Sequence, residues 1–210
     1  MIEIAAKGFF TATSLIVAIG SQNAYVLKQG LLKRHIGIVC VLCFLCDAVL
    51  MAMGIFGVGG IFARSPLLTQ LLTLGGACFL FIYGALSLRS AWRGGQSLET
   101  EASQGSSRAL ISIIGATLAV TLLNPHVYLD TVVIVGSLAV TLGHLEKWSF
   151  IAGALLGSFL WFFGLGYGAR LLRPLFARPF TWRILNGMIG IVMWGIAISL
   201  LVFTFETSIT

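Results

Sequence analysis

Six apolar stretches without a single Lys or Arg divide this sequence: residues 8–27, 36–60, 67–88, 110–138, 148–169 and 184–205. A bilayer's hydrocarbon core requires about 20 consecutive apolar residues per helix, and each stretch is long enough. Only 10% of the 210 residues are charged, against about 25% in soluble domains. A chain with so few polar groups cannot cover a water-facing surface, and the mean hydropathy of +1.01 agrees. The stretches therefore predict an all-α membrane protein with six transmembrane helices. Trp92, Trp148 and Trp182 stand at their edges, where amphipathic rings anchor helices at the membrane interface.

The loops sort by charge. Lys28, Lys33 and Arg34 follow the first stretch, Arg89, Arg93 and Arg108 follow the third, and Arg170, Arg173, Arg178 and Arg183 follow the fifth. These ten bases fall on one side of the membrane, while the other side holds three, Lys7, Arg64 and Lys147. Basic loops stay cytoplasmic, so both termini are expected in the periplasm of a cell with an inner membrane. The net charge of +6 is accounted for by topology. Its bases lie between apolar runs rather than on a soluble patch, which argues against nucleic acid as a partner. The N-terminal run continues into polar residues, so it is read as a span and not as a cleaved signal peptide.

The segment 90–108 is rich in Gly, Ser, Gln and Glu and reads as a flexible cytoplasmic linker. It separates a first three-helix unit, residues 1–89, from a second, residues 109–210. The units echo one another. Phe56-Gly57-Val58-Gly59 resembles Phe163-Gly164-Leu165-Gly166, Gly76 and Gly84 match Gly187 and Gly195, and Tyr25-Val26-Leu27 loosely matches Tyr128-Leu129-Asp130, all at offsets of 103 to 111 residues. Three spans per half invert the second half relative to the first. Two inverted three-helix repeats are a common plan of secondary transporters.

Cys40, Cys43 and Cys46 form C-x2-C-x2-C. An iron–sulfur cluster would need a fourth thiolate and polar surroundings. Inside an apolar helix these cysteines are expected to pack as small hydrophobes. The sequence has no phosphate-cradling G-x4-G-K-[ST] and no H-E-x-x-H, so ATP coupling within the chain, a metal-hydrolase site and a bound cofactor are not expected.

Of the seven acids, Asp47 and Asp130 lie inside spans, and no base does. An ionised carboxylate near the bilayer centre costs at least ~2.5 kcal/mol. Each must be protonated, hydrogen-bonded, or matched by a cation from solution, which points to a cationic solute or a proton. Asn124-Pro125 interrupts the fourth span. Pro125 cannot donate to the Thr121 carbonyl and its ring crowds it, so a broken helix is expected there, with backbone groups freed to hold a solute. His126 and Asp130 are spaced i, i+4 beyond the break, sharing a helix face, and the pair could relay protons. A histidine simply hydrogen-bonded inside the bundle fits equally well. Gly20-Ser21-Gln22-Asn23, followed by Tyr25, marks either a second break or the interfacial end of the first span.

The stretch Leu123-Asn124-Pro125-His126-Val127-Tyr128-Leu129-Asp130-Thr131, together with Gly20-Ser21-Gln22-Asn23-Ala24, Asp47 and Trp161-Phe162-Phe163, resembles the lysine exporter (LysE) superfamily, most closely its bacterial arginine exporter branch. The resemblance implies export of basic amino acids, arginine and also lysine, without a cofactor. The family's two membrane aspartates match Asp47 and Asp130, and its two asparagines match Asn23 and Asn124. Where the family usually has Pro, this chain has Ser21, implying a softer first break. Relatives of similar architecture export neutral amino acids, while two membrane carboxylates without bases favour a cationic substrate. The candidate substrate- and proton-binding residues are thus Asp47, Asp130, Asn23, Asn124, Pro125, His126, Gln22 and Tyr128. The expected activity is secondary export by proton antiport, not enzymatic catalysis. Its alternatives are export of homoserine, threonine or leucine, a channel, or a membrane assembly subunit. A homodimer is compatible with all of these.

Overall fold

A computed structural model describes residues 1–18, 20–57, 66–93, 108–176 and 178–209. Every regular element among them is helical. In chain order these are α1 (Ile2–Ile16), α2 (Ser21–Leu32), α3 (Ile36–Ile55), α4 (Pro66–Arg93), α5 (Arg108–Leu122), α6 (Pro125–Tyr128), a π-helical stretch (Leu129–Ile134), α7 (Val135–Ala139), α8 (His144–Gly168), a 3-10 turn (Ala169–Leu172), α9 (Arg173–Phe176) and α10 (Pro179–Ile209).

Four helices carry spans long and apolar enough to cross a bilayer: Ile36–Ile55, Thr73–Arg93, His144–Phe176 and Pro179–Val202. α1 and α2 form a bent pair, turned by 82°. The fourth apolar stretch is divided into two shorter apolar helices, Leu110–Leu122 and Leu129–Ala139. The chain is a multi-pass membrane protein. Of the expected linker, residues 90–93 continue α4, Arg108 opens α5, and 94–107 lie outside the described residues.

Local chemistry sets several boundaries. The Gly143 N–H donates to Glu146 Oε2 at 2.8 Å, satisfying a donor at the start of α8. Pro66 and Pro179 open their helices, where the missing N–H costs nothing. Gly57 ends α3 at φ +85°, a left-handed conformation that glycine adopts without a steric penalty.

Each span buries one face and presents the other to lipid. On α3, Val39, Cys40, Cys43, Asp47, Leu50 and Met51 are buried, whereas Ile38, Val41, Leu45 and Val49 are exposed. Apolar side chains suit both faces, so helix association rests on close packing rather than on hydrophobicity. Glycines permit that packing. A Cβ at Gly153 would overlap the Ala5 carbonyl and one at Gly8 the Phe150 carbonyl, which brings α1 against α8. Gly84 and Gly190 let α4 approach α10, and Gly54 and Gly136 let α3 approach α7. Cys40 and Cys43 are buried free thiols, with Cys40 Sγ 3.2 Å from the Phe162 carbonyl oxygen. They pack as the apolar setting predicts.

The glycines are used unequally. Packing is not the role of every glycine, since a Cβ at Gly115, Gly164 or Gly195 would meet nothing. The residues paired as repeats also differ in use. Gly76 is pressed against Leu123, whereas its match Gly187 has only ordinary contact with Ala91. Gly57 ends α3, while Gly164 lies within the unbroken α8. In addition, Lys28 is no loop residue. α2 continues to Leu32, and Lys28 is only 7% exposed. Its Nζ donates to Asn186 Oδ1 at 2.8 Å and lies 5.9 Å from the centre of the Trp182 ring, which offers the charge a π face.

Candidate functional site

Both helix breaks open onto one cavity of about 280 Å³. Its lining includes Gln22 and Asn23 from α2, Asp47 from α3, Asn124 from the second break and Asp130 from the π-helical stretch. Ile16, Met51 and Val127 add apolar walls. Five of the eight residues singled out from sequence thus meet at one place, although they span more than half of the chain. Among the described lining residues there are two carboxylates and no Lys, Arg or His.

α3 carries Asp47 on its buried face, 2% exposed. Ser158 Oγ on α8 donates to Asp47 Oδ2 at 2.8 Å. A buried carboxylate held by one hydroxyl still needs a proton or a cation if its charge is to be matched. At the meeting point of α3 and α8 this carboxyl group can take up a proton or match a cation.

At the first break, Asn23 reaches back across the bend. Its Nδ2 donates to the carbonyls of Ile16 at 2.6 Å and Ala18 at 2.7 Å. These are among the acceptors left over when a helix ends. Its Oδ1 accepts from Trp161 Nε1 on α8 at 3.1 Å. Both amide hydrogens are committed to the bend, so one lone pair of Oδ1 is what Asn23 can still offer a solute. Gln22 is differently placed. The residue lines the cavity, and its Nε2 is buried beside the Cys43 thiol. The chain turns by 82° here, with Ser21 opening α2.

The second break falls where Pro125 predicts it. α5 ends at Leu122 and α6 begins at Pro125. Tyr128 Oη donates to the freed Leu122 carbonyl at 2.8 Å. Tyr128 thus bridges the break and is absent from the cavity wall. The Val127 N–H donates to the Asn124 carbonyl at 3.1 Å. A Cβ at Gly76 on α4 would overlap the Leu123 carbonyl, so the broken backbone is seated against another helix, as irregular backbone at membrane depth must be. Asp130 follows inside the π-helical stretch, a conformation frequent at functional sites. Thr131 Oγ1 donates to the Val127 carbonyl at 2.5 Å. The side chains of Pro125 and His126, and so the proposed His126–Asp130 pairing, lie outside the described residues.

Sequence reasoning missed Ser158 and the role of Trp161. Nothing in the pattern of the apolar α8 distinguishes Ser158 from a small packing residue. The missed π-helical turn coincides with Thr131-Val132-Val133-Ile134, four β-branched residues, where a regular helix is weakened by crowding at Cβ.

A half-helix pair meeting a second broken helix at a carboxylate-lined cavity is a transporter's architecture, and the comparison with known families agrees. Residues 13–203 match the LysE type translocator family, and the chain belongs to it. Among its relatives are the arginine exporter protein ArgO of Yersinia enterocolitica, 42% identical over 95% of this chain and 97% of that one, and ArgO of Salmonella newport, 41% identical over 95% and 94%. The putative amino-acid transporter YggA of Aeromonas salmonicida is 40% identical over 92% of this chain and 93% of its own. No solved structure matches the chain.

Proposed function

We propose that this protein exports basic amino acids, arginine foremost and lysine with it, out of the cytoplasm in exchange for protons. The observation that carries this reading is the cavity in which Asp47 and Asp130 come together without a base among the described lining residues. A guanidinium or ammonium group is the natural complement of two carboxylates. At about 280 Å³ the cavity lies near the lower end of small-molecule pockets, a size suited to one amino acid. The relatives named as arginine exporters support this assignment.

The same reading takes the chain as six spans in two inverted repeats, 1–89 and 109–210, with both termini periplasmic in the inner membrane. Helix packing supports it. α1 lies on α8, α3 on α8 and on α5 and α7, and α4 on α10. Exchanging the two halves, span for span, leaves that set of pairings unchanged. The orientation is supported by Lys28, Arg34, Arg89 and Arg93 gathering around one pocket, while Lys7 and Lys147 lie near the other end of α8, where Gly8 meets Phe150 and Gly153 meets Ala5, and Gly30 of α2 meets Gly166.

Export of a cation from a negative interior is opposed by about 2.3 kcal/mol per 100 mV. Exchange for one proton removes that opposition, and a carboxylate that alternately holds substrate and proton performs the exchange. A second reading, export of neutral amino acids, is favoured by the Ser158 hydroxyl on Asp47, which satisfies the carboxyl group in either protonation state. Uptake of labelled arginine, lysine and threonine into inverted vesicles with an imposed pH gradient tests both. Gradient-dependent uptake of arginine and lysine is expected. Threonine uptake alone would replace this reading with the second, and uptake indifferent to a protonophore would remove the antiport.

A further inference from the structure

A second cavity, of about 400 Å³, opens between α2 and α4, near the end of α8 where Gly30 meets Gly166 and away from the end where Gly8 meets Phe150. Lys28, Arg34, Arg89 and Arg93 line it with Gln29 and Ser87, and there is no Asp or Glu among its described lining residues. Four bases around one pocket create a positive potential that water and the low-dielectric walls shape toward an anion. Arg89 and Arg93 bring exposed guanidinium forks, the chemistry of phosphate recognition, and Arg34 and Lys28, whose Nζ donates to Asn186, add positive charge. Such a pocket repels a cationic substrate, so it stands apart from the export cavity.

The surface beside the pocket selects the kind of phosphate. Arg89 and Arg93 lie on the exposed face of α4 in line with Ile82 and Leu86, at helical spacings of four, three and four residues. Ile82 is 58% and Leu86 57% exposed, although both are large and apolar. One stripe therefore runs from a lipid-facing apolar track to two arginines at the helix end. Trp92, 86% exposed, stands beside them as an interface anchor. On the other flank, a groove lined by Ala85, Leu88, Ala91, Trp92 and Trp194 shares Arg89 with the basic pocket. A free phosphate has no use for these apolar surfaces, but a phospholipid has a phosphate and acyl chains in just this order.

We propose that this pocket binds the phosphate headgroup of an anionic phospholipid, with an acyl chain lying along Leu86 and Ile82. Basic pockets between membrane helices on the cytoplasmic side are suited to such headgroups. The binding rests on the chain being a membrane protein. It does not rest on the exporter reading, which can fail without affecting it. The Arg183 guanidinium, donating to the carbonyls of Ala91 at 2.6 Å and Trp92 at 3.0 Å, fixes the end of α4 that carries the arginines.

The test is native mass spectrometry of the full chain purified in neutral detergent, with phosphatidylglycerol and phosphatidylcholine of identical acyl chains offered in competition. Retention of phosphatidylglycerol over phosphatidylcholine by about tenfold is expected, resistant to millimolar sodium phosphate. Arg89→Gln with Arg93→Gln should bring the two lipids to parity, whereas Lys7→Gln with Lys147→Gln should leave the preference intact. Leu86→Glu, on the lipid-facing side and away from the core, should repel the headgroup and lower retention independently. Equal retention of both lipids by the unaltered protein would overturn the proposal, as would an unchanged preference in the double arginine variant. Displacement by sodium phosphate would identify a free anion as the ligand and overturn the lipid. Retention seen only after Glu99→Gln with Glu101→Gln would assign the pocket to the chain's own acids.

Discussion

At the first helix break the chain turns by 82° between Ile16 and Ser21; at the second it interrupts the helix for two residues, Leu123 and Asn124. The two are made differently. The first has no proline and depends on Asn23, which is itself held by Trp161 from the other half of the chain. The second is dictated by Pro125, and its freed Leu122 carbonyl is answered locally by Tyr128. A proline break carries its cause within the backbone. A break without proline requires hydrogen bonds from elsewhere to hold it, so the first is coupled to α8 and through it to Ser158 and Asp47. The second break delivers a carboxyl group, Asp130, beside the Asn124 amide, whereas the first delivers amides alone.

The largest expected effect tests whether the charges, and not the breaks, carry transport. Asp47→Asn and Asp130→Asn should each lower arginine export at least about thirtyfold, the scale of losing one member of a buried charge pair. Membrane abundance should be unchanged or higher, because an amide costs less to bury. Export and abundance measured together decide it. Full export in both variants would take the carboxylates out of the mechanism, and a collapse in abundance would make them structural.

Next comes the brace of the first break. Asn23→Ala removes three hydrogen bonds and leaves two carbonyls unanswered, which should destabilise the protein by about 2–4 kcal/mol. A lowered thermal midpoint of the purified protein is the readout. Were Asn23 chiefly a solute ligand, export would fall while the midpoint stayed put. Gly76→Ala should destabilise by about 1–3 kcal/mol, because the new methyl overlaps the Leu123 carbonyl. Gly195→Ala, into open space, should be silent in the same melt.

The smallest effects sharpen the contrast. Tyr128→Phe and Trp161→Phe each remove one hydrogen bond, worth about 1 kcal/mol. Tyr128→Phe should shift the melt alone, because its bond is local to the second break. Trp161→Phe should also loosen Asn23, so that adding Asn23→Ala on top costs less than the two separate losses together. Strict additivity in that double-mutant cycle would sever the link between the first break and α8.

Much of this site could be read from the sequence. Intramembrane acids are expensive enough that Asp47 and Asp130 stood out without any structure, and Pro125 marked its break to within a residue. Gly20-Ser21-Gln22-Asn23 left two outcomes open because amides and small residues serve a bend and a helix end equally well. The choice was made by Trp161, 138 residues away, which no local pattern encodes. Ser158 was hidden for the same reason. Lys28 was misplaced because its burial depends on Asn186 and Trp182, contacts made across the whole chain, and because a lysine stem packs along apolar surface as readily as it extends into a loop.

The π-helical stretch from Leu129 to Ile134 has one consequence for how such chains change over time. Its wider turns hold one residue more than a regular helix would place there, so the segments before and after it are out of phase. That offset lets Asp130 face the cavity while Gly136, six residues later, meets the backbone of Gly54. Deleting a single residue within the stretch would restore regular winding and leave the faces on either side in place, whereas a deletion elsewhere between Asp130 and Gly136 would rotate everything beyond it by about 100°. Either the carboxylate or the glycine would then leave its surface. Insertions and deletions, usually tolerated in loops and harmful inside spans, thus meet a marked position here: a single extra residue that behaves as a spacer between a chemical face and a packing face.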